Sequence, residues 1–282
     1  SMSNTEKYSH ELIVPNEDLP FKMFLFEGSQ GNYFRDKHWH RSIEIFAVYE
    51  GGLTFYINEE KHLLEAGEFM LVNSNEIHSI DAQEKNQTVV LQMPLKTFED
   101  YFTGEQFIRF THDSTVQDEK VMELIWKMYD AYLGKQSGYE MKVKSYYYML
   151  LYLLVTKYRE LDVDQDMLKR NKKLTRLSTI TAYIKDHYTE ELSLETLAEI
   201  FGYSPTYLSR MFQKYAGINY KSYLQSIRVQ YAYQELANTE HTISEIALNN
   251  GFPNSKALAK VFRKKYGVLP SEYRRAGFRE DS

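Results

Sequence analysis

The chain has 282 residues, 43% of them hydrophobic, and no cysteine. A chain of this length buries more than one core and divides into about two domains. The lack of cysteine excludes disulfides, thiolate zinc sites and cysteine nucleophiles, so a metal would need His, Asp or Glu ligands. No apolar run reaches the roughly 18 residues of a membrane helix, and the opening SMSNTEKYSHELIVP lacks the charged-then-apolar pattern of a signal peptide. These features predict a cytoplasmic protein with no membrane partner.

The net charge of −5 is unevenly spread. Residues 1–171 carry 18 Lys and Arg against 28 Asp and Glu, whereas residues 172–282 carry 16 against 11. An acidic part joined to a basic part is expected when one domain alone approaches a phosphate backbone.

Up to about Met93, short apolar runs alternate with turn residues: Ile43 to Tyr49, Gly51-Gly52, Leu53 to Ile57, Asn58-Glu59, then Phe69 to Val72. That spacing predicts an antiparallel sandwich or barrel. The same stretch holds His38-Trp39-His40, Glu44 and Gly51, then Gly67, Asn73, Asn75 and His78. Alternation puts His38 and His40 on one face of a strand, and barrel closure can bring Glu44 and His78 beside them. Three imidazoles and a carboxylate suit a divalent transition metal. They equally suit the polar lining of a pocket, and a purely structural role is the third option. Tyr33 and Tyr56 are of a kind that stacks on a sugar ring, although with 24 Tyr and 16 Phe in the chain a core role competes for each.

From about Asp118 to Glu160 the period becomes helical. Val121, Leu124, Ile125 and Met128 form one stripe, and Tyr146 to Tyr158 is apolar almost all round. Such helices need a partner, which is either the barrel itself or another domain or subunit. Residues Leu161 to Lys173, LDVDQDMLKRNKK, are polar and highly charged and read as a linker.

The last third contains a repeat of about 50 residues. Residues 194–223 align with residues 243–273 through Ala198/Ala247, Gly202/Gly251, Tyr203/Phe252, Leu208/Leu258, Phe212/Phe262, Gly217/Gly267 and Tyr223/Tyr273. Each copy reads as helix, tight turn, helix. Gly202 and Gly251 suit left-handed helix ends, Ser204 and Asn254 suit N-caps, Pro205 suits a first helical turn, and Thr242 with Glu245 has capping-box spacing. This is the helix-turn-helix pattern, whose second helix enters the major groove. In the first copy Leu208, Met211 and Phe212 face the core, leaving Thr206, Ser209, Arg210 and Gln213 towards DNA. In the second, Lys256, Ala257, Lys260 and Lys264 point outward. Arg210 suits a bidentate bond to guanine, whereas lysines serve phosphates as well as bases.

On Ile243, Ile246-Ala247, Gly251-Phe252, Phe262, Lys264, Gly267, Pro270 and Tyr273-Arg274, residues 174–276 resemble the DNA-binding domain of the AraC/XylS family of transcription regulators. The resemblance implies seven helices, with one from about Asn219 to Ala237 holding two recognition helices in successive major grooves. It implies base contacts from Thr206, Ser209, Arg210, Lys256, Ala257 and Lys260. Ala257 and Leu258 depart from the family, which often has an aromatic pair there, and Lys260 stands where arginine is common. Residues 31–82 are similar to the two cupin motifs, whose metal-binding positions correspond to His38, His40, Glu44 and His78. Asn73 and Asn75 stand where the second motif usually has Pro and Gly. In regulators of this family the barrel holds a small effector, often a sugar.

The predicted organisation is therefore a cupin-like all-β sensor barrel over residues 1–110, a helical linker or dimerisation region over 111–171, and an all-α double helix-turn-helix domain over 172–282. The expected partners are promoter DNA, an effector bound by His38, His40, Glu44, His78, Tyr33 and Tyr56, a second copy of the chain, and RNA polymerase if the protein activates. A divalent metal in the cupin site is the one cofactor considered. The competing readings are a cupin metalloenzyme fused to a DNA-binding domain, and a protein-binding helical repeat. No P-loop, G-x-S-x-G or dinucleotide fingerprint supports the common enzyme classes.

Overall fold

The computed structural model describes residues 19–27, 33–38, 41–82, 84–113 and 118–280. The chain divides into two compact units, the first ending at Thr175 and the second beginning at Arg176.

Among the described residues, eight strands build the β layer of the first unit: β1 (Lys22–Glu27), β2 (Tyr33–His38), β3 (Ile43–Glu50), β4 (Gly52–Ile57), β5 (Glu60–Glu65), β6 (Phe69–Val72), β7 (His78–Ala82) and β8 (Gln87–Met93). They form two antiparallel sheets, ordered β1-β8-β3-β6 and β2-β7-β4-β5. Asn58 and Glu59, with φ of 49° and 72°, make the two-residue turn from β4 to β5, the left-handed pair that a tight hairpin requires.

Strand β3 shows why both faces of the first sheet are apolar. Its side chains alternate, so Phe46 and Val48 join Phe55, Ile57, Met70, Val72, Ile80 and Val90 in one core, while Ile43, Ile45 and Ala47 face another. Two helices cover that second face, α1 (Glu119–Gly134) and α2 (Tyr139–Leu153). Val121, Leu124, Ile125, Met128, Val143, Tyr147 and Leu150 pack there against Ile43, Ile45, Val89 and Leu91. Each such side chain contributes about 1.5–3 kcal/mol on full burial. The helical stripe read from the sequence is thus spent on the sheet.

Helix α1 starts at Asp118, whose carboxylate accepts from the backbone N–H groups of Lys120 and Val121, from Lys157 Nζ at 2.9 Å and from the Tyr158 hydroxyl. Burial alone would raise this carboxyl's pKa, but these donors hold it below the usual carboxylate value.

One expectation is corrected here. The polar stretch Leu161–Lys173 is not an irregular linker, because helix α3 runs from Gln165 to His187. Gln, Met, Leu, Lys and Arg are good helix formers whatever their polarity. The helix also has tertiary anchors: Leu168 lies against Gly104, and Asn171 and Leu174 are buried.

The second unit contains the rest of α3 and six further helices: α4 (Leu194–Phe201), α5 (Pro205–Ala216), α6 (Tyr220–Asn238), α7 (Ile243–Asn249), α8 (Ser255–Tyr266) and α9 (Pro270–Glu280). With α3 this makes the seven helices implied by the family resemblance. The second repeat has its own core of Val229, Ala232, Tyr233, Leu236, Ile246, Ala247, Phe252, Leu258, Phe262 and Tyr266.

Candidate nucleic-acid interface and effector site

Local chemistry sets each helix-turn-helix. In the first copy Ser193 caps α4 through Thr196 N–H, Gly202 ends it at φ 75°, and Ser204 caps α5 through Tyr207 N–H with Pro205 in the first turn. In the second, Thr242 and Glu245 form the full capping box of α7, Asn250 ends that helix, Gly251 follows at φ 85°, and Asn254 caps α8 through Ala257 N–H. These bonds satisfy the backbone donors that every helix start leaves unpaired.

The capped second helices present the expected faces. In α5, Leu208, Met211 and Phe212 are buried, Thr206, Arg210 and Gln213 are exposed, and Ser209 is half-buried. In α8, Lys256, Lys260 and Lys264 are exposed. Ala257 is half-buried against the second core, so less of it is available to DNA than the sequence pattern implies. Arg263 was overlooked in the sequence pattern. It is exposed, lies seven residues after Lys256 on the same helical face, and aligns with Gln213 at the 50-residue offset that relates the two helices. Applying that offset to every outward residue would have found it.

In the first unit, Glu44 points from β3 between the sheets, on the side of Phe46 and Val48, and is 1% exposed. Its Oε2 accepts from Gln92 Nε2 at 3.3 Å, and its Oε1 lies 3.7 Å from Nε2 of the fully buried His78. His78 Nδ1 is 2.9 Å from the Glu76 carbonyl, which can only accept, so Nδ1 carries a proton and Nε2 is the ring atom turned to Glu44. His38 pairs with His78 across β2 and β7. The side chains of Tyr33 and His38, and all of His40, lie outside the described residues. Tyr33 is the β2 partner of Ala82. Among the described residues no three His, Cys, Asp or Glu side chains group as metal ligands. Tyr56 departs from its expected role. Leu53, Phe55 and Ile57 fill the core between the sheets, so the alternation of β4 turns Tyr56 to the opposite face.

The two asparagines that depart from the cupin pattern have structural reasons. Asn75 adopts φ 64°, a conformation that asparagine tolerates best after glycine. Asn73 donates its backbone N–H to Glu76, which proline could not do, and its side chain bonds both the N–H and the carbonyl of Phe110. The buried Asn75 amide donates to Asn171 Oδ1 and Thr175 Oγ1, each at 2.9 Å, tying the β6–β7 turn to α3.

Residues 20–151 match the AraC-like ligand binding domain family, and residues 197–276 match a helix-turn-helix domain family. The chain belongs to the AraC family of helix-turn-helix transcription regulators. It is 23% identical over 241 residues to an uncharacterized HTH-type transcriptional regulator of Staphylococcus aureus strain COL, covering 83% of this chain but 31% of that one. It is 37% identical over 103 residues to the bifunctional transcriptional activator/DNA repair enzyme AdaA of Bacillus subtilis strain 168, covering 36% and 49% of the two chains. The chain thus spans about a third of the staphylococcal relative's length. Apo ToxT from Vibrio cholerae has a similar fold, with a TM-score of 0.60 at 16% identity over 91% of this chain and 97% of that one. For ToxT with an unsaturated fatty acid bound, the TM-score is 0.52 at 15% identity, over 90% and 94%.

Proposed function

We propose that this protein is a transcription regulator in which a small effector, held between the sheets of the β unit, controls how the helical unit engages promoter DNA. The observation that carries this is the pair of capped helix-turn-helix copies, each presenting an exposed polar or basic stripe on its second helix. Arg210 reads a guanine edge, with Thr206, Ser209 and Gln213 beside it. Lys256, Lys260 and Lys264 hold phosphates and supply salt-dependent affinity, and Ala257 contributes apolar contact.

The effector is a neutral, hydroxyl-rich molecule of the carbohydrate class. Glu44, Gln92 and His78 offer acceptors and donors for hydroxyl groups in an otherwise apolar wall. ToxT binds a fatty acid, but here the inward carboxylate of Glu44 would repel a ligand carboxylate. His38, His40 and Tyr33 complete the pocket in this proposal. A divalent metal is the second reading of the same residues. It is favoured by the His78 Nδ1–H on a backbone carbonyl, the arrangement that orients a metal-binding imidazole. Bound there by His38, His40, Glu44 and His78, the metal would polarise a ligand oxygen.

Occupancy is transmitted when the effector favours one arrangement of the units. The Asn75 bond to Asn171 and Thr175 couples the β6–β7 turn, which leads into His78, to the helix that continues into the second unit. Two copies associate through α2, where Met141, Tyr148, Met149 and Tyr152 are exposed along one side. An activating role would add RNA polymerase as a partner.

The test is binding of the full chain to DNA from its own upstream region at two salt concentrations, with thermal-shift measurements on sugars, fatty acids and divalent metals. Salt-sensitive, sequence-selective binding weakened by Arg210→Ala, with stabilisation by a sugar, is the expected result. No DNA binding at low salt defeats the regulator reading. Stabilisation by fatty acids alone defeats the carbohydrate reading.

A further inference from the structure

The two helix-turn-helix copies have different residues at the end of their first helices. At the 49-residue offset of those helices, Phe201 of the first copy corresponds to Asn250 of the second. Phe201 packs edge-on against Tyr183, whereas Asn250 is 4% exposed and fully engaged. Its Oδ1 accepts from the Tyr188 hydroxyl at 3.2 Å, and its Nδ2 donates to Glu235 Oε2 at 3.1 Å and to the Ile246 carbonyl at 2.8 Å. Tyr188 belongs to the loop between α3 and α4, Glu235 to the central helix α6, and Asn250 to the second helix-turn-helix. One buried amide therefore joins all three parts.

Arg228 of α6 reinforces the junction from the other side. Its Nε donates to the Tyr188 carbonyl and its guanidinium to the Glu190 carbonyl, both at 2.7 Å. The Tyr188 ring stacks on Tyr231 of α6, with centroids 4.5 Å apart and planes 11° from parallel. Gly251 completes the fit, since a Cβ there would come within 2.7 Å of Arg228 Nε and 2.9 Å of the Tyr188 carbonyl. An open cleft of about 440 Å³, lined by Glu190, Leu192, Ser193, Leu224, Leu248 and Phe252, lies between the Thr189–Ser193 loop and the second copy. The second core contains no residue before Val229. The continuous helix α6 carries Tyr220 and Leu224 on the side of the first copy and Val229 to Leu236 in the second core, and because apolar burial is non-directional, the hydrogen bonds of this junction add the directional constraint on the angle between the copies.

We infer that Asn250, held between Tyr188 and Glu235 and flanked by Arg228, is a positioning residue that sets the placement of α5 relative to α8, and with it the spacing between the two DNA subsites that the protein accepts. One base pair moves a subsite by about 3.4 Å along the duplex and about a tenth of a turn around it, so a rigid junction discriminates spacing and a loose one does not. The inference rests on DNA recognition by α5 and α8.

The experiment uses the full chain and a duplex selected by the wild-type protein from a random pool. Binding is compared with the same duplex carrying one base pair inserted or removed between the subsites, for wild type, Asn250→Val and Tyr188→Phe, with thermal unfolding as the folding control. Wild type should lose about tenfold or more at either altered spacing. Asn250→Val should bind the selected duplex about three- to tenfold more weakly and discriminate spacing by less than about threefold. Tyr188→Phe, which removes one hydroxyl, should shift the profile the same way by less. Variant profiles parallel to wild type, whether affinity falls uniformly or not at all, overturn the inference. If Asn250→Val does not unfold cooperatively, Tyr188→Phe is judged alone by the same criterion. A wild type indifferent to spacing overturns the inference together with two-helix recognition, whereas a spacing-sensitive wild type with equally sensitive variants overturns the positioning role alone.

Discussion

In the first helix-turn-helix copy the turn glycine, Gly202, has φ 75° and nothing within 4 Å of where a Cβ would stand. In the second, Gly251 has φ 85° and lies against Arg228 and the Tyr188 carbonyl. The outward faces differ too, with Thr206, Arg210 and Gln213 on α5 but Lys256, Lys260, Arg263 and Lys264 on α8. One local fold is thus used twice. In the proposed function the first copy reads bases and the second grips the backbone, while the contacts of Gly251 and Asn250 anchor the second copy to the rest of its unit.

The largest expected effects test whether the two cores are separate. Phe212→Ala and Phe262→Ala should each cost about 3–5 kcal/mol, as truncation of a fully buried aromatic does. Hydrogen exchange should show Phe262→Ala loosening α7 to α9 well before α4 and α5. Equal loosening of both copies would mean one shared core. Next come the glycines. Gly202→Ala should cost about 1–2 kcal/mol for the left-handed backbone alone, and Gly251→Ala should add about 1–3 kcal/mol of overpacking. Urea unfolding of the two variants side by side checks this, and equal costs would remove the distinction.

Recognition comes third. Arg210→Ala should lose about 1–3 kcal/mol of discrimination at one base position. Lys260→Ala should instead weaken binding evenly across sequences and reduce the salt slope by about 0.9. Titrations on selected and scrambled duplexes at several salt concentrations separate the two, and a salt slope for Lys260→Ala equal to that of wild type would make that lysine a base reader. The smallest effect belongs to the caps: Thr242→Ala and Ser204→Ala should each cost about 1 kcal/mol. The two costs should be nearly equal, because each substitution unpairs one backbone N–H, that of Glu245 or Tyr207, while the Glu245 side chain keeps its bond from the backbone N–H of residue 242. Thermal unfolding of the two variants provides the check.

The second unit was readable in the sequence almost residue by residue, since its signals are local. Caps act within three residues, turn glycines act on their own φ, and the helical stripe repeats within one helix. The β unit was readable as a class. Period-two alternation marked the strands, and α1 was visible as an amphipathic stripe, but which surface it covered was not. Tyr56 shows the cost of one residue of parity, since a neighbour either way along β4 faces the core. Leu161–Lys173 shows that polarity does not exclude a helix when the residues favour one and a few of them find anchors.

By itself, then, the sequence determined the two-part charge division, the strand-rich first part, the repeated helix-turn-helix and the outward faces of α5 and α8, because each depends on neighbours along the chain. Tertiary structure alone decided that α1 and α2 cover the sheet β1-β8-β3-β6, that Glu44 and His78 meet between the sheets, and that Asn75 reaches Asn171. It likewise decided that Asn250 meets Tyr188 and Glu235. Those contacts join residues far apart in sequence, and a directional hydrogen bond of about 3 Å exists only once packing has brought its two ends together.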